Sequence, residues 1–310
     1  MMIPTRSLRS VAGVGALLAI FASPATVAAK TRPVDEHRPA DASGQVEIQD
    51  VAGRVEVVGW DKPEVAVTGS VGADVERVDV AGEGARTTVH VVTHESHGVT
   101  FSWRGGDETQ LVVHVPAGSS LTTTLVSADL KVTGVAGKQE LHSVSGDLTT
   151  TAQRELRVQT VSGDVHVSAG PESRMIQIGT VSGDVGLSGG AGELEIKTVS
   201  GDAMLTVGTL ARAHLTTVSG DISLTAGLAP DGRLEAESVS GDFKIHFTGE
   251  LPPAAFDLQT FSGDLSTCFG RKASHEVYGP GARLSFQEGA GSARVRVDTK
   301  SGDVTLCSKK

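Results

Sequence analysis

The chain has 310 residues, a formal net charge of −10, 38 glycines and only 4% aromatic side chains. An acidic chain of this kind lacks the basic face that nucleic-acid phosphates require, and it disfavours direct binding to anionic lipid surfaces. The abundance of Gly beside Thr, Ser and Val predicts many short strands joined by tight turns, and therefore an all-β protein.

The first 29 residues have the features of a secretory signal peptide. Arg6 and Arg9 supply positive charge, residues 11–21 form a short apolar core, and residues 27–29 are small side chains suited to cleavage before Lys30. The apolar core is too short for a comfortable membrane span, and no later stretch approaches 18 apolar residues, so we expect no transmembrane segment. We expect an exported protein, periplasmic or extracellular, whose mature chain has 25 Lys and Arg against 37 Asp and Glu, a formal charge of −12.

Two regions precede the repeats described below. Residues 30–44 are polar and contain two prolines, which predicts a flexible leader. Residues 45–118 contain short alternating apolar runs, separated by turn signals at 59–63 and 116–118. We interpret this second region as an irregular β region that caps the N-terminal end of the repeats.

A Val-Ser-Gly-Asp tetrapeptide recurs six times between residues 144 and 242, and variants of it occupy 126–129, 261–264 and 300–303. Successive motif aspartates are 17 to 22 residues apart, except for a last interval of 39. This regularity indicates one structural unit per motif. The nine motif aspartates are Asp129, Asp147, Asp164, Asp184, Asp202, Asp221, Asp242, Asp264 and Asp303.

Apolar residues alternate with polar ones on both sides of each motif, which predicts two half-buried strands per repeat. In eight of the nine motifs a Thr or Ser stands four residues before the Asp and has the parity of the preceding apolar residues, whereas the motif Val has the parity of those that follow. We therefore expect the alternation to slip at Thr-Val, with the Val inside and the Ser and Asp outside. The motif Gly allows the turn.

Such a unit cannot bury its apolar side alone, but stacked copies can. The repeats therefore predict a parallel β-solenoid (β-helix-like) with about 18–22 residues per turn over residues 119–310. The alternative is an antiparallel β-sandwich or meander, since each repeat could also form a hairpin.

The stacked aspartates would form a ladder with neighbours about 5 Å apart, where two unit charges repel by roughly 1 kcal/mol in water. Hydrogen bonds from backbone N–H groups or from the Ser hydroxyl of the same corner would compensate, as in Asx-turns. Calcium ions between turns are the alternative. We expect the ladder to be structural, with no metal site and no cofactor.

Candidate catalytic groups do not gather in the sequence. The repeat histidines His142, His166, His214 and His246 stand at different positions relative to their Asp, and Trp60 and Trp103 lie outside the repeats. The His94-x-x-His97 pair lacks a third ligand at helical spacing and predicts a solvated loop. We therefore expect no catalytic residues, although β-helical folds do include carbohydrate-active enzymes.

The two cysteines, Cys268 and Cys307, each stand four residues after their motif Asp. An even pair in an exported protein predicts a disulfide, which requires that the two turns be direct neighbours. Residues 269–293, interrupted by glycines, are then an excursion and not a further turn. We expect the bond to lock the C-terminal turn at the end of the stack, where Lys309 and Lys310 discourage edge pairing.

Ser-Gly-Asp-Val repeats, preceded by Gly-Trp-Asp at 59–61 and by Val-His-Val-Pro at 113–116, resemble a bacterial family of unknown function. Its members are named as candidate adhesins or β-strand-repeat proteins, and the resemblance covers roughly residues 45–310. It implies an exported β-helical fold at the cell envelope and brings no catalytic residues with it.

We therefore expect a non-enzymatic envelope protein, a rigid scaffold or adhesin that contacts a partner protein or surface ligand. A calcium-stabilised adhesive module is the alternative, and a carbohydrate-active enzyme comes third.

Overall fold

The computed structural model describes residues 31–83, 85–93, 109–275 and 281–308. These residues form an all-β protein of 23 strands. Within them, no helix is long and apolar enough to cross a membrane. The expected signal peptide, His94, His97, Trp103 and the two final lysines lie outside the described residues.

Six strands precede the repeats and form the N-terminal end of the sheet. They are β1 (Arg32–Pro39), β2 (Gln45–Trp60), β3 (Glu64–Val71), β4 (Val75–Glu83), β5 (Arg86–Thr93) and β6 (Gln110–Pro116).

The remaining strands carry the repeats and the connection near the C-terminus. They are β7 (Ser120–Thr133), β8 (Gln139–Ser145), β9 (Leu148–Ala152), β10 (Glu155–Ser162), β11 (Val165–Ala169), β12 (Met175–Ser182), β13 (Val185–Gly189), β14 (Gly192–Ser200), β15 (Ala203–Ser219), β16 (Ile222–Ser240), β17 (Phe243–Phe247), β18 (Ala254–Ser262), β19 (Leu265–Thr267), β20 (Ser274–His275), β21 (Ala282–Gln287), β22 (Ala293–Ser301) and β23 (Val304–Ser308).

Each repeat lies beside the next in parallel register. We call the strands on the two sides of one Gly-Asp corner a rung and name it by its motif Asp. In the Asp164 and Asp184 rungs, β10 pairs with β12 and β11 with β13, so that Thr160 lies beside Thr180 and Val165 beside Val185. The repeats therefore do not form the hairpins of the alternative sandwich.

The interior of the repeats is an elongated apolar core. Each first strand contributes inward residues such as Leu156 and Val158, and each second strand contributes residues such as Val165 and Val167. The same side-chain positions are buried in rung after rung, because strands paired in parallel register point equivalent residues in the same direction. The core is continuous from Val46 to Leu306.

The sheet as a whole is mixed, because antiparallel pairs occur at both ends. At the N-terminal end β1 pairs with β3, β3 with β6 and β4 with β5. At the C-terminal end β21 pairs with β18 and with β20. The expectation of parallel strands alone is therefore met only in part.

The N-terminal region differs from the sequence-based expectation in two ways. Residues 32–39, expected to be a flexible leader, form β1, which is fixed because Arg32 and Arg38 donate hydrogen bonds to backbone carbonyls of β4. The sequence predicts that β2 belongs to the N-terminal cap. In the structure β2 pairs in parallel with β7 from Gln45 to Val58, and its other edge pairs with β5 and β6. Residues 45–60 thus lie inside the stack.

The C-terminal rung also has an unexpected place. Strand β22 pairs with β16 on one edge and with β18 on the other, and β23 likewise lies between β17 and β19. The Asp303 rung therefore sits between the Asp242 and Asp264 rungs. The expectation that it ends the stack is wrong, because the connection through β20 and β21 returns the chain to the inner side of the Asp264 rung.

Candidate interaction surface

The Val-Ser-Gly-Asp motifs lie above one another along one edge of the stack, and we call the exposed Val, Ser and Asp columns of this edge the corner surface. Each motif follows an inward residue that ends the buried positions of the first strand: Leu125 in the first motif, and a Thr or Ser such as Thr160 or Thr180 in the others. Burial resumes at the residue after the Asp, for example Val165 and Val185. The four motif residues between these positions therefore form the outer corner.

The motif glycines permit this close stacking of corners. Gly163 and Gly183 have φ values of 110° and 138°, which side-chain-bearing residues rarely adopt. A Cβ built on Gly183 would lie 2.2 Å from the carbonyl oxygen of Gly163, the corner of the neighbouring rung. The same close approach recurs from Gly146 to Gly302, so the column excludes any side chain.

The aspartates are joined by one hydrogen bond per rung. The backbone N–H of each Asp after Asp129 donates to the Oδ1 of the Asp in the adjacent rung, at 2.8–3.1 Å. The order in space is Asp129, Asp147, Asp164, Asp184, Asp202, Asp221, Asp242, Asp303 and Asp264. The donor N–H therefore belongs to the neighbouring rung. In an Asx-turn, the donor would belong to the same corner as the Asp.

A second hydrogen bond runs the other way between the same corners. Val165, the residue after Asp164, donates its N–H to the backbone carbonyl of Asp184 at 2.9 Å, and equivalent bonds join the other rungs. The carboxylate therefore supplies an acceptor where the turn interrupts the regular strand ladder. Buried or partly buried backbone N–H groups need such partners, which gives the Asp a structural role.

Arg54 lies at one end of the aspartate ladder. In the register of β2 with β7 it occupies the position beside Asp129, where the repeats carry Asp. Its guanidinium approaches the carboxylate of Asp129 at 3.4 Å. Among the described residues, no other ladder Asp has an ion-pair partner, so most of the column carries unpaired negative charge at the surface.

The motif valines are outside, which contradicts the expectation that they fill the interior. Their relative exposure is 44–53%, against less than 10% for the inward residues of the same strands. The alternation of buried and exposed residues slips at Ser-Gly-Asp, after the Val and not before it, because the chain turns at the Gly. The Val therefore keeps the outward orientation of alternate residues in the first strand. These seven residues form what we call the valine stripe: Val126, Val144, Val161, Val181, Val199, Val218 and Val239.

The valine stripe covers seven consecutive rungs, or about 30 Å at the spacing of paired strands. In the next two rungs of the stack its column continues with Lys300 and then with Phe261, which is 61% exposed. Isolated exposed apolar residues are ordinary, but a contiguous apolar column beside charged groups is typical of interaction surfaces.

A shallow groove lies on the other side of the aspartate column. It has a volume of about 850 Å³ and is lined by Asp184, Asp202 and Met204 among others. Gly186 leaves space in the lining of the groove, since it has no side chain; a Cβ built on it would lie 3.4 Å from the His166 ring. The Met204 side chain is 71% exposed at the rim. The groove thus joins the corner surface to a second exposed apolar group.

The repeat histidines do not meet in one place. His142 lies 3.5 Å from Glu140, and His214 bonds Thr216 at 3.2 Å on the face before the corner, whereas His166 lies on the face after it. Nor does any group of three or more His, Cys, Asp or Glu side chains that could hold a metal occur among the described residues. Of these four histidines, His166 alone lines the groove, together with Asp184 and Ser188.

Two shifted pKa values have ordinary surface causes. A hydrogen bond from Lys197 lowers the pKa of Glu195, with burial opposing the shift, and a hydrogen bond to Asp79 raises the pKa of Arg77. Both are ion pairs on exposed strand faces. Such pairs contribute little to stability and do not indicate a catalytic acid or base.

The predicted disulfide is confirmed. Cys268 and Cys307 are bonded, with their Cα atoms 4.9 Å apart, as neighbouring rungs allow. The bond joins the Asp264 rung, at the outer end of the stack, to the inserted Asp303 rung.

Sequence comparison places the chain in a family. Residues 45–307 match the Toastrack DUF4097 family, and the chain belongs to it. No curated protein matches the chain.

Solved structures of low sequence identity are similar in part. A candidate adhesin from Bacteroides fragilis is 13% identical with a TM-score of 0.43, covering 90% of this chain and 97% of that one. A candidate lipid-binding protein from Parabacteroides distasonis is 13% identical with a TM-score of 0.33, covering 91% and 98%. A candidate cell adhesion protein from Clostridium sporogenes is 9% identical with a TM-score of 0.26, covering 90% and 100%.

Proposed function

We propose that this chain is a non-enzymatic, exported envelope protein whose stacked rungs form a β-solenoid rod that presents the corner surface to a partner. The observation that carries the proposal is the valine stripe, an exposed apolar column in register over seven rungs. A soluble domain has no structural need to expose the same apolar residue in each rung, since the core is filled by other positions.

The rod suits a scaffold or adhesive role because its surface is held rigidly. Each rung is bonded to its neighbours through both strands and through the aspartate ladder. A partner that contacts several rungs therefore meets groups already in place, and little conformational entropy is lost on binding. The adjoining carboxylate column favours a partner whose contact surface is apolar and flanked by positive charge.

Two observations support the other parts of the proposal. The repeat histidines lie on different faces, and the hydroxyl–imidazole pair found among the described residues, Thr216 with His214 at 3.2 Å, stands two residues apart on one strand, which favours a binding role over catalysis. Arg6, Arg9 and the apolar core at 11–21 have the pattern of an export signal. Export would also provide the oxidising compartment in which the Cys268–Cys307 bond persists.

The test compares envelope binding by the mature chain and by a stripe variant. In V161T/V181T/V199T each Val is replaced by a β-branched residue of the same shape, so strand geometry is preserved while apolar contact is lost. The immobilised proteins are exposed to envelopes isolated from cells that produce the chain, and retained material is measured. We expect the stripe variant to retain roughly tenfold less, equivalent to about 1.4 kcal/mol.

Met175→Thr is the control, because it removes an exposed apolar side chain outside both the stripe and the groove. This control should bind as the unaltered chain does. Equal binding by the stripe variant, or no binding by the unaltered protein, would refute the proposed role. Fractionation of the same cells tests export: a full-length chain that retains its first 29 residues in the cytoplasm contradicts it.

A further inference from the structure

The Asp303 rung fills a slot between two rungs that precede it in sequence. Strand β22 forms parallel ladders with β16 and β18 at once, and β23 does so with β17 and β19. Its inward residues Val295, Val297, Val304 and Leu306 are buried between the apolar residues of both neighbours. Without this segment, the Asp242 and Asp264 rungs would each have an open strand edge facing the same gap.

The slot is specific for its occupant. The Asp303 N–H donates to Asp242, and the Asp303 carboxylate accepts from the N–H of Asp264, both at 2.8 Å. Gly302 is required as well, since a Cβ there would lie 2.2 Å from the carbonyl oxygen of Gly241. Cys307 completes the match by its bond to Cys268. An occupant must therefore carry the pattern of residues 293–308.

The segment is connected to the preceding strand by a short hinge. After β21 ends at Gln287, five residues lead to β22, and two of them are Gly289 and Gly291. Four hydrogen bonds hold this hinge: the Glu288 N–H donates to the carbonyl of Ala254, the Gln287 side chain donates to the carbonyls of Gly289 and Gly291, and the Ser292 hydroxyl donates to that of Pro230. Strands joined by short hinges to a preformed slot are those that proteins exchange between identical copies.

We infer that the slot accepts residues 293–308 either from the same chain or from a second copy, so that two copies exchange their C-terminal rungs and become linked through Cys268 of one and Cys307 of the other. The contacts inside the slot are identical in both cases, and the difference lies in the hinge alone. Exchange therefore depends on chain concentration while the protein folds. It would join copies through the C-terminal part of the stack and needs no contact with the valine stripe.

The test uses the whole mature protein in two isotopic forms. Unlabelled and nitrogen-15-labelled chains are unfolded with reductant, mixed, refolded together at several concentrations and oxidised. Digestion without reductant then yields the Cys268–Cys307 peptide pair. We expect hybrid pairs, one light and one heavy peptide, whose fraction rises with protein concentration; chains refolded separately and then mixed should give none.

A second arm excludes random thiol oxidation. Full-length C268S and C307S chains, refolded together, can form the native bond only between two molecules. The matched control replaces C307S by C268S/C307S/T151C, in which the thiol occupies the same outward position of a distant rung. Heterodimer that exceeds this control supports exchange. Hybrid pairs no more frequent than in the separately refolded mixture, or absence of the Cys268–Cys307 bond altogether, would overturn the inference.

Discussion

The backbone N–H of Asp303 donates a hydrogen bond to the carboxylate of Asp242 at 2.8 Å, although 61 residues separate them in sequence. Asp264, which lies between them in sequence, donates instead to Asp303. The order of rungs in space therefore differs from their order along the chain. The Asp264 rung can complete its contacts only when the C-terminal rung is in place.

This order predicts a large effect of removing residues 293–310. Besides Ala293, four larger buried aliphatic side chains are lost, which corresponds to roughly 6–12 kcal/mol at about 1.5–3 kcal/mol each. We expect a chain that is insoluble or that melts at a temperature lower by roughly 10 °C or more, measured by circular dichroism. Arg296→Gln, an exposed change on the same strand, should leave melting unchanged. A truncated chain as stable as the intact one would contradict the inserted position of this rung.

Reduction of the disulfide should destabilise the protein to a smaller extent. The bond closes a loop of 39 residues, for which the loss of chain entropy in the unfolded state is worth up to about 4 kcal/mol. We expect the melting temperature to fall by several degrees in the presence of reductant. The C268S/C307S variant should melt near the reduced protein and show no response to reductant. Two free thiols in the oxidised native protein would argue against the bond.

The sequence predicts much of the repeat structure because each rung is specified locally. The spacing of Asp147, Asp164 and Asp184 defines the period, and alternation around them identifies the buried positions. The relation of Cys268 to Cys307 follows from their equal distances after the motif Asp. These features depend on residues a few positions apart, and local patterns are sufficient to find them.

The features that the sequence does not reveal depend on choices between equivalent alternatives. Either edge of the Asp264 rung could accept the Asp303 rung, since all rungs share the same pattern; the choice rests on the path of residues 268–293. The outward position of Val161 depends on where the chain turns. The alternation of apolar and polar residues before and after the corner fits a slip just before the Val as well as a slip just after it. Arg54 follows Val51-Ala52-Gly53, which keeps the Val and Gly of the motif, but without the Ser and Asp this partial match does not identify a further corner.

The close stacking of the motif glycines predicts that alanine substitution destabilises the protein far more at Gly183 than at the nearby Gly186. In Gly183→Ala the new Cβ would lie 2.2 Å from the carbonyl oxygen of Gly163, at a φ of 138° that Ala rarely adopts. We expect a loss of about 3 kcal/mol or more, since both a clash and backbone strain arise. Gly186→Ala is the control, because its nearest contact, the His166 ring at 3.4 Å, is ordinary van der Waals distance. Urea unfolding of both variants tests this; equal stabilities would contradict the stacked corners.

Two substitutions of Asp184 separate the effect of its negative charge on stability from the effect of the hydrogen bond that it accepts. Asp184→Asn keeps an oxygen that can accept from the Asp202 N–H, while it removes repulsion of about 1 kcal/mol from each neighbour. We expect Asp184→Asn to be at least as stable as the unaltered protein, and Asp184→Ala to be less stable by about 1 kcal/mol.

Salt provides the check on this interpretation. High ionic strength screens repulsion between exposed charges, so it should stabilise the unaltered protein more than Asp184→Asn. Urea unfolding at low and at about 1 M salt measures both effects. If Asp184→Asn and Asp184→Ala lose stability equally, the charge itself is needed and the hydrogen-bond role is wrong.

The same ladder predicts the response to calcium. Calcium takes six to eight oxygen ligands, usually from several side chains around one point. In the ladder each carboxylate before that of Asp264 already accepts a backbone N–H with Oδ1, and the neighbouring aspartates form a single line along one edge. Because a line of single carboxylates supplies few oxygens to any one ion, we expect no change in melting temperature between EDTA and millimolar calcium. Magnesium serves as the control for a general effect of divalent charge. A rise in melting temperature with calcium that magnesium does not reproduce would show that the ions, and not the backbone N–H groups alone, compensate the repulsion along the column.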